Sequence, residues 1–179
     1  MSVDSRYHAS VVLDGKIYVM GGYEGDIDDN GDDIIHDAGD GDLDMVEAYD
    51  PQADSWQRVA SMPRGLCYHA AAAMGGKIYV TGGMGGQEED DDDNDNDNVF
   101  LNLVYVYDPQ ADAWTRLASM SFTRATHASA AVGGKLYVFG GHVEGGHLST
   151  AEVYDPASDS WAQGSSLAFA REGLVAVAL

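Results

Sequence analysis

The chain has 179 residues, 45% of them apolar, with 22 glycines and a formal charge of −21 from 30 Asp/Glu against nine Lys/Arg. That is room for one ordinary domain rich in turns. Its one cysteine excludes a disulfide framework or a multi-thiolate metal site, no run reaches the roughly 18 apolar residues of a membrane helix, and the scarcity of Lys and Arg argues against nucleic acid as a direct partner.

Residues 1–10 lack the basic start and long apolar run of a secretory signal, and no Asn-x-Ser/Thr sequon occurs. A cytoplasmic or nuclear setting is therefore expected. HASVVL at 8–13, a turn at Asp14-Gly15 and KIYVM at 16–20 predict a hairpin. The KIYVM run is nearly all apolar, the pattern of a strand covered on both faces. A helix is excluded by the short, β-branched runs bounded by Gly or Asp-Pro. After Gly21-Gly22 comes 24–44, with ten acids and no base. MVEAY at 45–49, ended by Asp50-Pro51, and SWQRV at 55–59 predict two more strands.

The pattern then repeats. GKIYVMGG at 15–22 returns as GKIYVTGG at 76–83 and GKLYVFGG at 134–141. AYDPQADSW at 48–56 returns as VYDPQADAW at 106–114 and VYDPASDSW at 153–161. His8, His69 and His127 each stand six residues before the residue that opens the hairpin turn. A second acidic run, 87–98, holds eight acids and no base. The two runs account for 18 of the 30 acids, so the remaining 12 against nine bases leave a body near −3. Without the acidic runs the unit is about 47 residues, the length of a propeller blade.

The Gly doublet, the Tyr-Asp-Pro and the spaced Trp, three times in register, resemble the Kelch repeat of β-propellers. The resemblance implies an all-β Kelch-type propeller with blades at 1–63, 64–122 and 123–168, and a fourth blade opening at 169–179. There LAFAREGLVAVAL aligns with 120–132, Arg171 falling on Arg124 and Leu174 on His127. Propellers close with four to eight blades. Three arrangements answer the shortfall: a longer gene product, pairing with a second copy through the open blade edges, or an open monomer. Trp56, Trp114 and Trp161 are expected to wedge between blades, each worth about 3–5 kcal/mol if buried.

Lettering the strands of a blade a to d from the centre outward, antiparallel connectivity returns the b–c and d–a connections to the same face. Both acidic runs are b–c insertions. Arg64, Arg124 and Arg171 fall in d–a connections, either neutralising carboxylates and loop carbonyls or gripping a partner together with Asp90, Asp91, Asp92 and Asp93. In Kelch adaptors this face is the usual partner-binding one. The resemblance therefore implies a protein–protein interaction module whose acidic loops attract a partner with basic segments.

Two alternatives stay open. Asp26, Asp28, Asn30 and Gly31, with Asp32 inside the loop and Asp37 six residues after the Gly, resemble the EF-hand spacing and admit Ca²⁺. Asp37 stands where that loop has Glu, and Asp33 where it has an apolar anchor. The other alternative is a metal-dependent Kelch-fold enzyme. Cys67-Tyr68-His69 resembles the copper sugar oxidases in letters only, since strand neighbours point to opposite faces. Asp28, Asp32 and His36 copy the iron spacing of plant nitrile-specifier proteins with Asp in first place. No catalytic constellation is identified, so the chain is read as a non-enzyme. The repeated histidines are read as structural.

Overall fold

A computed structural model describes residues 5–25, 41–86 and 99–178, and among them there is no helix. The strands in chain order are β1 (Ala9–Leu13), β2 (Lys16–Met20), β3 (Val46–Asp50), β4 (Ser55–Arg58), β5 (Ala70–Met74), β6 (Lys77–Thr81), β7 (Met84–Gly85), β8 (Val99–Phe100), β9 (Val104–Asp108), β10 (Ala113–Arg116), β11 (Ala128–Val132), β12 (Lys135–Phe139), β13 (His142–Val143), β14 (Gly146–His147), β15 (Ala151–Asp155) and β16 (Ser160–Gly164). They build three four-stranded antiparallel blades, β1-β2-β3-β4, β5-β6-β9-β10 and β11-β12-β15-β16. The ribbons β7–β8 and β13–β14 stand apart from the blades. Residues 165–178 form no ladder. The segment expected to open a fourth blade carries no strand among its described residues.

The repeated YDPxxD box is a self-contained turn between the third and fourth strands of each blade. Asp50, Asp108 and Asp155 accept the N–H groups of Gln52, Gln110 and Ala157 at 2.9–3.0 Å. This is the local bond that makes Asp a turn residue. Their other carboxylate oxygens face Lys16, Lys77 and Lys135. The Tyr49, Tyr107 and Tyr154 hydroxyls donate to Asp54, Asp112 and Asp159 at 2.7–2.8 Å.

The core lies between blades. Tyr18, Met20 and Val46 of blade 1 meet Ile78, Val80 and Tyr105 of blade 2, and Tyr79 and Val106 of blade 2 meet Leu136 and Tyr154 of blade 3. The Asp-x-Trp end of the second and third turns clamps the blade before it. Trp114 Nε1 donates to Ala60 O at 2.9 Å and Asp112 Oδ1 accepts Ala60 N–H at 2.8 Å. Trp161 and Asp159 repeat this on Ala118 at 2.8 and 2.9 Å. Gly21 has φ +62°, and a Cβ there would stand 2.5 Å from Leu66 O and 2.6 Å from the His69 ring. The first Gly is required by the next blade's backbone and histidine, and the second, Gly22, by Arg6 O and His8 of its own blade, 2.8 and 3.1 Å from where a Cβ would stand.

Candidate functional site

On the face where second strands exit and first strands enter, each blade carries a short pairing of two connections. The inbound residues Arg6, Cys67 and Ala125 bridge to Tyr23, Met84 and His142 on the outgoing side. Tyr23 pairs on to Asp42, β7 to β8 and β13 to β14. These pairs are the stems of the three b–c loops. Inward of them, Tyr7, Tyr68, Thr126 and Gly173 all have positive φ, at 60°, 54°, 51° and 65°. Their backbones link in series, Tyr68 N–H to Tyr7 O, Thr126 N–H to Tyr68 O and Gly173 N–H to Thr126 O, at 2.8–3.0 Å. Left-handed Tyr and Thr cost energy, and this bonded series holds them there. The Tyr7 and Tyr68 rings stack with centroids 4.1 Å apart. Arg6 donates to Gly25 O at 2.6 Å and lies over the Tyr23 ring.

Of the arginines assigned to this face, Arg64 is half-buried and Arg171 exposed. Arg124 departs from the expectation of a partner-gripping side chain, because it is fully buried. Its guanidinium meets Glu152 Oε1 at 2.7 Å and donates to Gly140 O at 2.7 Å and to Thr150 O at 3.3 Å. Glu152 Oε2 in turn accepts the Ser121 N–H at 2.7 Å. Burial pulls the Arg124 pKa down and Glu152 pushes it back up. Arg124 thus bonds loop carbonyls and a carboxylate within blade 3, and Glu152 carries the link on to Ser121 of blade 2. Asp26, Asp28, Asn30, Asp32 and Asp37, with Asp33 and His36, lie outside the described residues, as do Asp90, Asp91, Asp92 and Asp93.

Three features of the face were not legible in the sequence. Asp42, counted there as one of ten acids, is half-buried, and this raises its pKa against the opposing pull of Cys67 and Arg64. His142 and His147 face Glu172, which comes from the C-terminal connection, with Nδ1–Oε2 at 3.6 Å and Nε2–Oε1 at 3.7 Å. The third feature is the left-handed series itself, because ordinary Tyr and Thr letters carry no sign of positive φ.

The enzyme-like letters diverge. Cys67 is buried beside Asp42, Tyr68 stacks on Tyr7, and His69 lies beneath Gly21. Burial lowers the His69 pKa to about 4 and that of His127 to about 3. His127 Nε2 is 2.8 Å from Thr81 Oγ1. His8 is exposed. Among the described residues, no group of three or more His, Cys, Asp or Glu is placed to hold a metal ion.

The Kelch motif matches residues 5–63 and 123–168, and the Attractin/LZTR1 beta-propeller matches 42–145. This chain belongs to the Kelch-repeat family. Beta-scruin of Limulus polyphemus is 30% identical over 80% of this Kelch chain, and Kelch-like protein 26 of Mus musculus is 32% identical over 75% of it. The chain spans only 14% and 19% of those relatives. The solved structure of YjhT aligns with a TM-score of 0.68 at 19% identity, covering 92% of this chain and 53% of its own, which establishes the propeller fold. Among the described residues, no helix is long and apolar enough to cross a membrane.

Proposed function

We propose that this Kelch chain is a protein-interaction module that offers the face of the paired stems, with its two acidic arms, to a partner carrying basic segments. The observation that carries the reading is the run of stems bridged to inbound connections, Tyr23–Arg6, Met84–Cys67 and His142–Ala125. The acidic stretches depart from the first two of these stems, on adjoining blades. A body near −3 with 18 extra carboxylates on two arms makes a directional field, which speeds encounter with a cationic partner and fades with salt. The rigid blades fix the stems from which the arms depart, as a scaffold fixes its loops. The reading assigns no catalysis to the chain. Binding of a Lys/Arg-rich peptide, followed by fluorescence anisotropy, should weaken at least about tenfold between about 50 and 300 mM salt. A variant with Asp90, Asp91, Asp92 and Asp93 changed to Asn should bind several-fold more weakly. Equal binding by that variant overturns the role of the second arm. A heat of Ca²⁺ binding that disappears in Asp26→Asn/Asp28→Asn/Asp37→Asn would support the EF-like spacing as a site.

The outer blade faces favour a second reading, self-association. Blade 1 presents Asp54 and Trp56, the clamp with no blade before it, and Trp56 is 41% exposed. Blade 3 presents Ser165, four residues after its Trp as Ala60 and Ala118 are after theirs. A second copy of this chain would place Trp56 on Ser165 as Trp114 sits on Ala60. Sedimentation should give twice the chain mass, falling to the single mass in Trp56→Glu. A single mass for the wild type overturns it.

A further inference from the structure

We propose that the stem face holds a slot for a guanidinium group, walled by Tyr68, Thr126 and Glu172 and filled by an arginine side chain of the partner. The slot rests on the reading of a partner with basic segments, and it names the side chain that anchors that partner.

Tyr7, Tyr68, Thr126 and Gly173 are equivalent positions of the left-handed series. Glycine takes that backbone region freely, as Gly173 does, whereas tyrosine and threonine are strained in it. Strain of this kind collects where side chains are aimed at a ligand. The Tyr7 and Tyr68 rings lie nearly parallel, with centroids 4.1 Å apart and planes at 21°. Thr126 comes next in the series, where a tyrosine would continue the stack. Its short side chain leaves the place of a third ring beside Tyr68. A planar guanidinium stacks on an aromatic face as a ring does.

The other wall is a carboxylate. Thr126 Oγ1 donates to Glu172 Oε2 at 3.0 Å, so Tyr68 and Glu172 flank one short residue. The Gly173 N–H bond to Thr126 O, at 2.8 Å, fixes the chain beside Glu172. Glu172 is 41% exposed. His142 Nδ1 and His147 Nε2 stand 3.6 and 3.7 Å from its two oxygens, beyond hydrogen-bond reach. A carboxylate accepts up to about four hydrogen bonds, so Glu172 keeps capacity for a donor from outside. Arg124 is held by Glu152, and the Arg64 charge acts on Asp42. An aromatic face on one side and a carboxylate on the other select arginine over lysine. The guanidinium is flat and forked, while the ammonium is a compact and more strongly hydrated charge.

The test follows fluorescein-labelled arginine and lysine peptides of equal length, by anisotropy, on the whole chain at about 150 mM salt. The two peptides carry the same charge, so the acidic arms attract them alike. The arginine peptide should bind at least about fivefold tighter. Thr126→Tyr sets a third ring in the slot, at a φ that Tyr7 and Tyr68 already adopt. That variant and Glu172→Gln should each bring the arginine peptide down to the level of the lysine peptide, with unchanged circular dichroism. Equal binding of the two peptides by the wild type overturns the slot. An arginine preference that survives Thr126→Tyr also overturns it. Neither peptide binding at low salt would instead overturn the reading of a basic partner.

Discussion

Blades 1 and 2 carry nearly the same second strand, KIYVM and KIYVT, yet Ile78 is fully covered and Ile17 is 37% exposed. Blade 3 gives the mirror case, with Leu136 and Val138 covered against blade 2 while Tyr137 and Phe139 face outward, half-covered, and stack on each other. The letters are the same, so the difference belongs to the neighbour and not to the strand. A propeller strand is written for two companions, and burial reports how many of them are present. The same holds for the clamp: Trp114 and Trp161 are docked on a preceding blade and Trp56 is not.

The largest expected effect comes from acid acting on the histidines of the closed junctions. Unfolded histidines titrate near 6.5, whereas desolvation holds His69 down at about 4 and His127 at about 3. Below 6.5 the unfolded chain binds protons that the folded chain does not, so stability falls as the pH drops through 6.5 toward 4. The loss is on the order of 3 kcal/mol or more per imidazole by the time the folded values are reached. Urea midpoints at several pH values should trace that window, and His69→Gln should flatten it. An unchanged slope in His69→Gln would mean that the junction histidines do not govern it.

The buried ion pair gives the next contrast. Glu152→Ala strands the Arg124 guanidinium and should cost about 3–5 kcal/mol in urea unfolding. Arg124→Met/Glu152→Leu should recover most of that loss, because an apolar pair of similar volume is no worse than a buried charge pair. Arg171→Met, at the equivalent but exposed position, should stay within about 0.5 kcal/mol. The smallest contrast sets Trp114→Ala, expected to cost about 3 kcal/mol, against Trp56→Ala, expected near 1 kcal/mol in the single chain. Equal costs would mean that the first blade's clamp is also engaged.

Much of the architecture was legible because the same residues return in register. Every blade strand lies where the repeats place it, and the Gly doublet, the Asp-Pro turn and the clamp tryptophan each have a contact that explains the letter. Features of other kinds escaped. Two-residue ribbons such as β7–β8 are too short to show a period of two. Arg124 bonds loop carbonyls and a carboxylate, the first of the two roles open to it, but its full burial does not show until Glu152, 28 residues on, is seen beside it. The alignment at residue 5 gives Ser and at residue 66 gives Leu, so the arginine is not a fixed part of the repeat and nothing in the spacing marks it as buried. Glu172 with His142 and His147 could not be foreseen, since the grouping depends on how the last connection folds back over blade 3.

The clamp has a direction with a consequence for how the protein is made. Asp112 and Trp114 satisfy Ala60, and Asp159 and Trp161 satisfy Ala118, always the later blade reaching back to the earlier. Leu66 and Arg124 likewise supply the carbonyls that Gly22 and Gly83 need. On the ribosome, each newly emerged blade is therefore left with open polar groups until its successor arrives, and the nascent chain zips shut one step behind its own synthesis.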